Sequence, residues 1–562
     1  MDLTYRVEMR NRQAVQLQGE ERVTMGRTPL LRAFARLAEE HRTAEGLGIP
    51  PAELRGQREE AAFDRGTFLK RAGVVGAGAI ALPAAAMAAP ARGATSARIA
   101  IVGGGIAGLN AALALADKGV ASTIYEAGTR IGGRMHSDTS GYWSSGQVSE
   151  YCGELIDTGH KTIRALASRF NLPTVDLLAA QPAGTTDTFY FFGANYPISQ
   201  ADADFQPIHA TLSSQIKATS YPTTYASSTT AGQGFDAMSV YEWIEKYVPD
   251  GHASPMGALL DAAYNEEYGA ETTDQAALNL MYLLGYQPNA KAFEVFGVSD
   301  ERFHISGGNE QLPQAIANHI GGQNIKLGWA MQSIKTNTDG SISMTFATHG
   351  KKQTVTADHV ILCMSFAVLR GLDYSGAGFD PRKVQAITQL GSGRNAKLNL
   401  QFTSRLWNAQ GSTGSAYSDL GIQNTWDVTR GQAGAPGILV QYAGGNVAGA
   451  FAPSTPYSNA ETNSQVTAYA NATLAKLDQI YPGISQKWNG KASLSVPFLD
   501  PLLKCSYSYW RVGQYTAFSG YEGVQQGNIH FAGEHCSQDF QGYMEGGASE
   551  GARAAFEVLR QV

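Results

Sequence analysis

The sequence is poor in cysteine and in charged residues, and it has no excess of basic side chains. Its four cysteines, Cys152, Cys363, Cys505 and Cys536, are scattered and form no C-x-x-C pair, so neither a zinc site nor a disulfide framework is indicated. Charged residues make up 16% of the chain, and 43 basic against 49 acidic residues give a formal charge of −6. Broad nucleic-acid binding requires a basic face. We therefore expect no nucleic-acid partner and no metal ion.

Long hydrophobic runs are also lacking. The most apolar stretch, within residues 64–94, is rich in Ala and Gly and is broken by Pro83, so no stable membrane span is expected. Basic residues precede this stretch, and Ala86-Met87-Ala88 is a candidate A-x-A cleavage signal. The phrase from Arg65 to Lys70 resembles a twin-arginine export signal, except that Gly66 stands where the second arginine belongs.

We therefore expect residues 65–97 to be an export-derived leader. It would make the protein exported, periplasmic or secreted, and retention in the cytoplasm is the alternative. Residues 1–64 form a polar N-terminal extension. One amphipathic helix is predicted there, capped by Thr28, with Pro29 in its first turn and apolar residues on one face up to Leu37.

Glycine, in contrast, is abundant, with 63 residues in a chain of 562. The length exceeds one ordinary core, so two domains or one composite fold are expected. A short apolar strand, Ile99 to Val102, leads into Gly103, Gly105 and Gly108 in a G-x-G-x-x-G pattern. A helix to Lys118, a second strand from Ser122 to Tyr125 and then Glu126 are predicted to follow.

This order of elements is typical of dinucleotide binding. Gly103 permits a tight turn, Gly105 lets the backbone approach a pyrophosphate at the helix N-terminus, and Gly108 lets the helix pack closely on the strand. Glu126 can accept hydrogen bonds from both ribose hydroxyls, and its charge disfavours a 2′-phosphate.

The stretch Arg130-Ile131-Gly132-Gly133-Arg134 follows directly. This R-x-G-G-R resembles the second fingerprint of the flavin amine oxidase superfamily, in particular its bacterial flavin monoamine oxidase and L-amino-acid oxidase members. In that family the glycines and the last arginine approach the pyrophosphate of FAD, a contact that an arginine next to close-packing glycines suits. The resemblance covers most of residues 98–562.

The resemblance implies an α/β fold in which a discontinuous, Rossmann-type FAD-binding domain carries an inserted α+β substrate domain. The FAD-binding domain is expected in residues 98–170, 298–372 and 499–562. The substrate domain is expected in residues 171–297 and 373–498.

Later segments extend the resemblance. Ile325 to Ile334 resembles the strand whose backbone holds the adenine, with Met331 at that position. Lys397 to Phe402 alternates as a strand does, and a closing helix is expected from Gly546 with its N-terminus towards the flavin. Glu534 resembles the acid beside the ribityl-phosphate part of FAD.

Gly153 and Glu154 resemble the loop that runs past the flavin ring, and contact with a cationic substrate tail is an alternative role for Glu154. His160 is expected to be structural. The FAD-binding residues implied in this way are Gly103, Gly105, Ile106, Ala107, Gly108, Glu126, Ala127, Arg130, Gly132, Gly133, Arg134, Gly153, Glu154, Met331, Gly533, Glu534, Tyr543 and Met544.

Three residues are candidates for catalysis. Lys397 matches the family's lysine, which holds a water against flavin N5, and a buried ammonium needs such a reason because burial disfavours its charge. Tyr543 lies in a G-Y-M-E-G stretch and matches one wall of an aromatic sandwich that guides a neutral amine and excludes water. Tyr507 is the candidate for the other wall.

Cys505 raises the question of how FAD is attached. Its spacing to Gly513 matches the cysteine that mammalian-type monoamine oxidases join covalently to FAD. Bacterial relatives often carry glycine there, and cysteine is also an ordinary small buried residue. Non-covalent FAD is therefore favoured, with a covalent link through Cys505 as the alternative.

The resemblance implies an enzyme that oxidises a C–N bond by hydride transfer to flavin N5, with O2 as the acceptor and hydrogen peroxide as a product. The favoured interpretation is an L-amino-acid oxidase, which gives a 2-oxo acid and ammonia. The alternative is a mono- or polyamine oxidase. Snake-type L-amino-acid oxidases bind the substrate carboxylate with an arginine in a G-x-x-R loop, but the matching stretch here, Gly153 to Ile156, ends in isoleucine. Arg511 or Arg394 would then have to bind the carboxylate.

A non-catalytic protein of the Rab-escort type shares this fold family and is the remote alternative, since fold alone does not decide function. A desaturase or porphyrinogen oxidase is disfavoured by the G-Y-M-E-G stretch together with Lys397. The expected partners are a small amine or amino-acid substrate and O2, and we expect a homo-oligomer, a dimer.

Overall fold

The computed structural model of the protein describes residues 97–219, 221–287, 289 and 291–562. The helix predicted near residues 28–37 lies outside these residues, as does the predicted leader apart from residue 97.

The strands are short and spread over the whole described part of the chain. In chain order they are β1 Ile99–Val102, β2 Thr123–Glu126, β3 Ser137–Asp138, β4 Ser149–Glu150, β5 Thr174–Asp176, β6 Thr186–Phe191, β7 Ala194–Asn195, β8 Phe303–Ile305, β9 Ile325–Leu327, β10 Ala330–Thr336, β11 Ile342–Thr348, β12 Lys351–Ala357, β13 His359–Leu362, β14 Asp373–Gly376, β15 Gly391–Ser392, β16 Asn395–Phe402, β17 Ser412–Ser418, β18 Gln423–Asp427, β19 Gly437–Gly444, β20 Tyr457–Asn459, β21 Trp488–Ser495, β22 Ser508–Tyr509 and β23 Ile529–Phe531.

The longest run of consecutive helices in the described residues lies between β7 and β8. The helices are α1 Ile106–Ala116, α2 Lys161–Arg169, α3 Ile198–Thr219, α4 Thr230–Asp236, α5 Val240–Tyr247, α6 Pro255–Tyr268, α7 Ala277–Leu284, α8 Gln311–Ile320, α9 Phe366–Leu369, α10 Pro381–Gln389, α11 Leu406–Ala409, α12 Gly445–Gly449, α13 Ser464–Ile480, α14 Gln514–Phe518 and α15 Met544–Leu559.

A five-stranded parallel sheet joins distant parts of the chain. Its order is β23-β13-β1-β2-β9, and each neighbouring pair is parallel. The four residues of β1 are buried, as expected for a parallel strand covered on both faces. Three separated stretches, residues 99–126, 325–362 and 529–531, therefore build one sheet, which is the discontinuous α/β arrangement that the sequence predicts.

The two long helices of this layer pack very closely. A Cβ added at Gly551 of α15 would lie 2.1 Å from the carbonyl oxygen of Ala107 in α1, and one at Gly108 would lie 2.0 Å from the carbonyl oxygen of Gly103. Only glycine fits either position without moving the backbone. The third glycine of the G-x-G-x-x-G pattern therefore serves the packing of α1 on β1.

A second, eight-stranded sheet has the order β20-β21-β16-β19-β18-β17-β6-β7. Strands β6 and β7 come from residues 186–195, and the other strands come from residues 395–495. All eight residues of β16, including Lys397, are buried. Both predicted parts of the substrate domain thus contribute strands to one sheet, while the exact domain boundaries stay a prediction.

Helix α6 brings acidic residues to this sheet. Ser254 caps its first turn by accepting a hydrogen bond from the Gly257 amide, Pro255 occupies the first turn, and Gly269 ends the helix with φ of 64°. A Cβ at Gly269 would lie 2.1 Å from Asn395 Oδ1. The C-terminal end of α6 therefore lies directly against the start of β16.

Several predicted boundaries differ from the observed ones by a few residues. The strand Ile99–Val102 is confirmed, while α1 ends at Ala116 rather than Lys118, β2 begins and ends one residue later, and α15 begins at Met544 rather than Gly546. The single strand predicted over residues 325–334 is wrong. Gly328, with φ of 71°, separates β9 from β10, which belong to different sheets.

Within the described residues, no helix combines the length and the apolar character needed to cross a membrane.

Candidate active site

A cavity of about 640 Å³ runs from the end of β1 to the start of α15. All the residues predicted to bind FAD or to act in catalysis line it, with the exception of Gly108, which packs α1 against β1. The structure thus brings together side chains that lie up to about 440 positions apart in the sequence, from Gly103 to Met544. Their roles towards a cofactor stay a prediction.

Two glycine turns lie against each other at one end of the cavity. The Gly132 amide donates to the Gly104 carbonyl at 2.8 Å, and Gly105 and Gly132 form a parallel bridge. A Cβ on Gly105 would have no atom closer than 4.0 Å, so this backbone is open towards the cavity. Gly132 has φ of 95°, a conformation that side chains rarely adopt. The G-x-G-x-x-G and R-x-G-G-R motifs therefore form one continuous backbone surface.

Glu126 holds the edge of this surface. Its Oε2 accepts from the Gly104 amide and its Oε1 accepts from the Gly128 amide, both at 2.7 Å. The carboxylate thereby connects the loop that follows β1 to the loop that follows β2. Glu126 also lines the cavity beside Ala127. Each carboxylate oxygen can accept a further hydrogen bond there, for example from a ribose hydroxyl.

Two arginines flank the glycine turns. Arg130 donates to the Gly133 carbonyl at 2.8 Å, and Arg134 donates to Glu534 Oε1 at 2.8 Å and to the Ser506 carbonyl at 2.9 Å. Burial alone would raise the pKa of Glu534, but the Arg134 charge and its hydrogen bonds hold it below the usual value. This buried ion pair joins the second motif to the segment after β23.

Lys397 projects from β16 into the middle of the cavity wall. Its Nζ donates to Glu154 Oε2 at 2.6 Å and to the Cys152 carbonyl at 2.8 Å, and its side chain is only 7% exposed. Trp426 Nε1 donates to the other Glu154 oxygen at 2.9 Å. Glu154 is therefore engaged by Lys397 and Trp426, which disfavours its alternative role as a partner for a substrate tail.

Aromatic side chains surround the same region. The Tyr507 hydroxyl lies 2.9 Å from that of Tyr442 and donates to the Glu266 carbonyl at 3.1 Å. The Tyr543 ring packs on His160, with centroids 5.0 Å apart, and its hydroxyl donates to Glu267 Oε1 at 2.9 Å. The two tyrosines predicted as walls thus both line the cavity, each fixed by a hydrogen bond.

His160 supports this wall and does not line the cavity. It is 2% exposed, and its Nδ1 accepts a hydrogen bond from the Asp157 amide at 3.0 Å. The structural role predicted for this histidine agrees with these contacts.

The wall beside Tyr543 is acidic. Burial, opposed by the Tyr543 hydrogen bond, raises the pKa of Glu267 to about 7. Burial and the nearby Asp157 and Glu267 charges raise the pKa of Glu301 well above its usual range. Both residues line the cavity, so this end presents carboxyl groups and aromatic rings.

The arginines suggested for binding a substrate carboxylate lie elsewhere, and that prediction is wrong. Arg511 makes a fork-like ion pair with Asp274, with contacts of 2.8 to 3.0 Å, and its side chain is 49% exposed. Arg394 is exposed and donates to Asn446. Neither lines the cavity, whose basic residues among the described part of the chain are Arg130, Arg134, Lys397 and Lys504.

Cys505 is buried behind the cavity wall rather than in it. Its neighbour Ser506 lines the cavity, whereas the Cys505 thiol points to the Leu503 carbonyl at 3.6 Å. Burial raises the pKa of this thiol, which lowers its population of reactive thiolate. Both observations disfavour a covalent link to a flavin.

Sequence reasoning missed several residues of the site. Trp426, Tyr442, Glu267, Glu301 and Gln541 line the cavity, and they come from β18, β19, α6 and two loops. No local motif marks them. A weak signal was present for Glu267, since two adjacent acids end a helix there although acidic side chains are unfavourable at a helix C-terminus.

The parallel sheet, the paired glycine turns and the buried lysine are the features expected of a flavin-dependent oxidoreductase. The profile of the family described as flavin containing amine oxidoreductase matches residues 106–559, and the chain belongs to this family.

The comparisons also identify similar proteins. The L-amino-acid oxidase of Crotalus adamanteus is 22% identical over 486 residues, which cover 82% of this chain and 87% of the relative. The L-amino-acid oxidase of Naja atra is 23% identical over 504 residues, with 82% and 88% covered.

Among solved structures, cyclohexylamine oxidase from Brevibacterium oxydans IH-35A is similar with a TM-score of 0.70 at 20% identity, covering 83% of this chain and 99% of that chain. Wild-type putrescine oxidase bound to putrescine is similar with a TM-score of 0.67 at 18% identity, and the coverage is again 83% and 99%. At these identities the solved structures show that the fold is shared.

Proposed function

We propose that the protein is an FAD-dependent oxidase that converts an amine and water to a carbonyl compound and ammonia and reduces O2 to hydrogen peroxide. The observation that carries this proposal is the buried Lys397–Glu154 pair in the wall of a cavity that also contains both glycine turns. Burying the Lys397 charge costs several kcal/mol, which its contacts with Glu154 and the Cys152 carbonyl offset at this place in the cavity wall.

The residues present fit FAD. The open backbone at Gly105 and the adjacent Gly132 and Gly133 suit a pyrophosphate, with Arg134 to balance its charge. Glu126 would accept from the ribose, and Met331, which lines the cavity on β10, would lie beside the adenine. Met544 and Gly547 place the N-terminus of α15 at the cavity, where the helix dipole favours negative charge.

When bound, FAD would supply the acceptor for a hydride from the carbon that bears the amine and the route of the electrons to O2. The chain's own residues prepare this reaction. Tyr507 and Tyr543 hold the substrate between aromatic faces and exclude water, which favours the neutral amine that can lose hydride. Lys397 supplies a fixed hydrogen-bond donor, and Glu154 holds that donor in place.

The cavity favours an amine without a carboxylate. A carboxylate needs a bidentate arginine or a comparable donor, and the arginines that line the cavity are engaged at the glycine turns and Glu534. Glu267 and Glu301, which line the substrate end, offer a substrate carboxylate no cationic partner. A mono- or polyamine is therefore the first candidate for the substrate.

An L-amino acid is the second candidate. The curated relatives described above are L-amino-acid oxidases, and they match over most of their own length. In this case the carboxylate would have to use hydroxyl and amide donors such as Tyr442, Tyr507 and Gln541, which line the cavity.

Non-covalent attachment of FAD belongs to the same proposal, supported by the position of the Cys505 thiol. We also propose, from the sequence, that the segment before residue 98 directs export and that the protein is a dimer.

A substrate panel tests the proposal. Purified protein is expected to be yellow and to release peroxide with tyramine or putrescine faster than with L-phenylalanine or L-lysine. The reverse order would favour the L-amino-acid oxidase. A colourless protein that forms no peroxide even after incubation with FAD would contradict the enzymatic function and favour a non-catalytic binding protein.

A further inference from the structure

A second, smaller cavity of about 90 Å³ lies behind the aromatic wall of the active site. It shares Glu267, Tyr268, Gln541 and Tyr543 with the large cavity, so these four residues separate the two spaces. A volume of this size holds several water molecules or a short aminoalkyl chain. A substrate group that passes this wall would therefore have room beyond it.

The lining of the small cavity suits a cation. Aromatic side chains are supplied by six residues, Tyr221, Tyr268, Tyr282, Trp510, Tyr515 and Tyr543. Two acids, Glu267 and Asp539, also line it, beside neutral side chains, and among the described residues that line this cavity there is no Lys, Arg or His. Aromatic faces and carboxylates both attract an ammonium group when water is excluded.

Glu267 is placed where a cation would offset its burial. It lies in the last turn of α6, whose C-terminal end carries the negative pole of the helix dipole. Its Oε1 accepts from the Tyr543 hydroxyl, a neutral donor, and the adjacent acid Glu266 is also buried. Burial raises the pKa of the Glu267 carboxyl, the Tyr543 hydrogen bond opposes this shift only in part, and the Asp157 charge adds to it.

Gln541 gives an independent indication of a ligand. Its Nε2 and Oε1 are both buried, and neither atom has a hydrogen-bond partner among the described residues. Buried amide groups are rarely left unpaired, since each unpaired atom has lost its hydrogen bonds to water without replacement. Because Gln541 lines both cavities, a polar group that occupies the passage between them would satisfy it.

We propose that the small cavity is a subsite for an ammonium group remote from the amine that is oxidised, with Glu267 as its counter-ion and Gln541 as a hydrogen-bond partner in the passage. This inference rests on the proposed function and narrows it to substrates with two cationic groups. Two sources share this chemistry, a diamine and a dibasic L-amino acid.

The test compares pairs of substrates that differ only in the remote ammonium. The holoenzyme is assayed for peroxide with 1,5-diaminopentane against pentylamine, and with L-lysine against L-norleucine. The wild-type protein is expected to prefer the dibasic member of at least one pair by tenfold or more in kcat/KM. The pair that shows this preference identifies the source of the ammonium.

Two variants locate the recognition. Glu267→Gln is expected to lower the dibasic preference at least tenfold, and Gln541→Leu is expected to lower it as well. Glu461→Gln, which changes an acid paired with Lys491 at the surface, serves as the control and is expected to keep the preference. Because each variant is judged by a ratio of two substrates, a general loss of folded or active protein cancels.

The inference and the proposed function fail in different ways. Equal kcat/KM within both pairs, or a preference that survives Glu267→Gln, would overturn the subsite while amine oxidation stands. If no substrate reduces the flavin, the proposed function falls, and anaerobic calorimetry then decides the subsite. Tighter binding of 1,5-diaminopentane than of pentylamine, lost in Glu267→Gln, would support the subsite, and equal binding would overturn it.

Discussion

The Lys397 ammonium lies 2.6 Å from Glu154 Oε2, and both side chains are almost fully buried. The two residues are 243 positions apart in the sequence, on β16 and on the loop after β4. Trp426 donates to the same carboxylate from β18. This group joins the eight-stranded sheet to the loop that follows the glycine motifs, at the centre of the proposed active site.

Replacing Lys397 by methionine keeps the length of the side chain and removes its charge. Flavin turnover is expected to fall by about 10²-fold, as for loss of a positioned donor. FAD is expected to remain bound, because the glycine turns and Arg134 are untouched. Steady-state peroxide formation and the flavin content after gel filtration measure the two effects.

Lys335→Met is the matched control, since Lys335 is exposed on β10. Its turnover is expected to equal that of the wild type. Unchanged turnover in Lys397→Met would remove this lysine from the mechanism, and loss of FAD would give it a structural role.

The pair itself can be measured by a double-mutant cycle. Glu154→Gln leaves the Lys397 charge buried without its counter-ion, and we expect a loss of about 3–5 kcal/mol in the free energy of unfolding. The double variant, Lys397→Met with Glu154→Gln, leaves no buried charge unpaired. Its loss of unfolding free energy is therefore expected to be smaller than the sum of the losses in the two single variants. Urea unfolding gives the four values, and simple additivity would show that the two side chains do not interact.

Much of the nucleotide-binding half could be predicted because its function is local in the sequence. A tight turn, a close backbone approach and a helix N-terminus are needed within a few residues, so Gly103, Gly105 and Glu126 appear at fixed spacing. Lys397 and Tyr543 were predicted in another way, because the segments that contain them resemble segments of the flavin amine oxidase superfamily. The structure then placed these residues around one cavity.

The substrate end could not be predicted in this way. Glu267, Trp426 and Tyr442 lie on three elements that meet only through the eight-stranded sheet and the close contact of Gly269 with Asn395. The arginines proposed from the sequence were wrong for the same reason. Arg511 follows a cavity-lining segment closely in the sequence. Its ion pair with Asp274, however, holds its side chain at the surface.

FAD is expected to be released by acid. Precipitation of the holoenzyme should leave the flavin in the supernatant, because the Cys505 thiol faces the Leu503 carbonyl and lies outside the cavity lining. Cys505→Ser should retain the same flavin content as the wild type. Flavin that stays with the pellet in the wild type and not in the variant would show a covalent bond.

Glu267 should make stability depend on pH. Burial raises its pKa from 4.5 to about 7 in the folded protein. Below pH 4.5 the carboxyl is protonated in both states. Between these two pH values the Glu267 carboxyl is ionised in the unfolded chain but still protonated in the folded protein. The folded state therefore loses stability as pH rises through this interval.

Glu267→Gln removes this loss. The variant should therefore gain stability relative to the wild type when pH is raised from 5 to 8, by up to ~3 kcal/mol. Melting temperatures at both pH values measure the gain, with Glu461→Gln as the exposed control. A difference that is the same at pH 5 and pH 8 would show that the Glu267 pKa is ordinary.

The most direct measurement of the central claim is anaerobic reduction of the purified yellow protein by an amine. Addition of 1,5-diaminopentane or tyramine should bleach the flavin absorption, and admission of air should restore it with one peroxide formed for each flavin. Heat-released cofactor should co-migrate with FAD. A flavin that no amine and no L-amino acid reduces, or a protein that binds no flavin, would contradict the account.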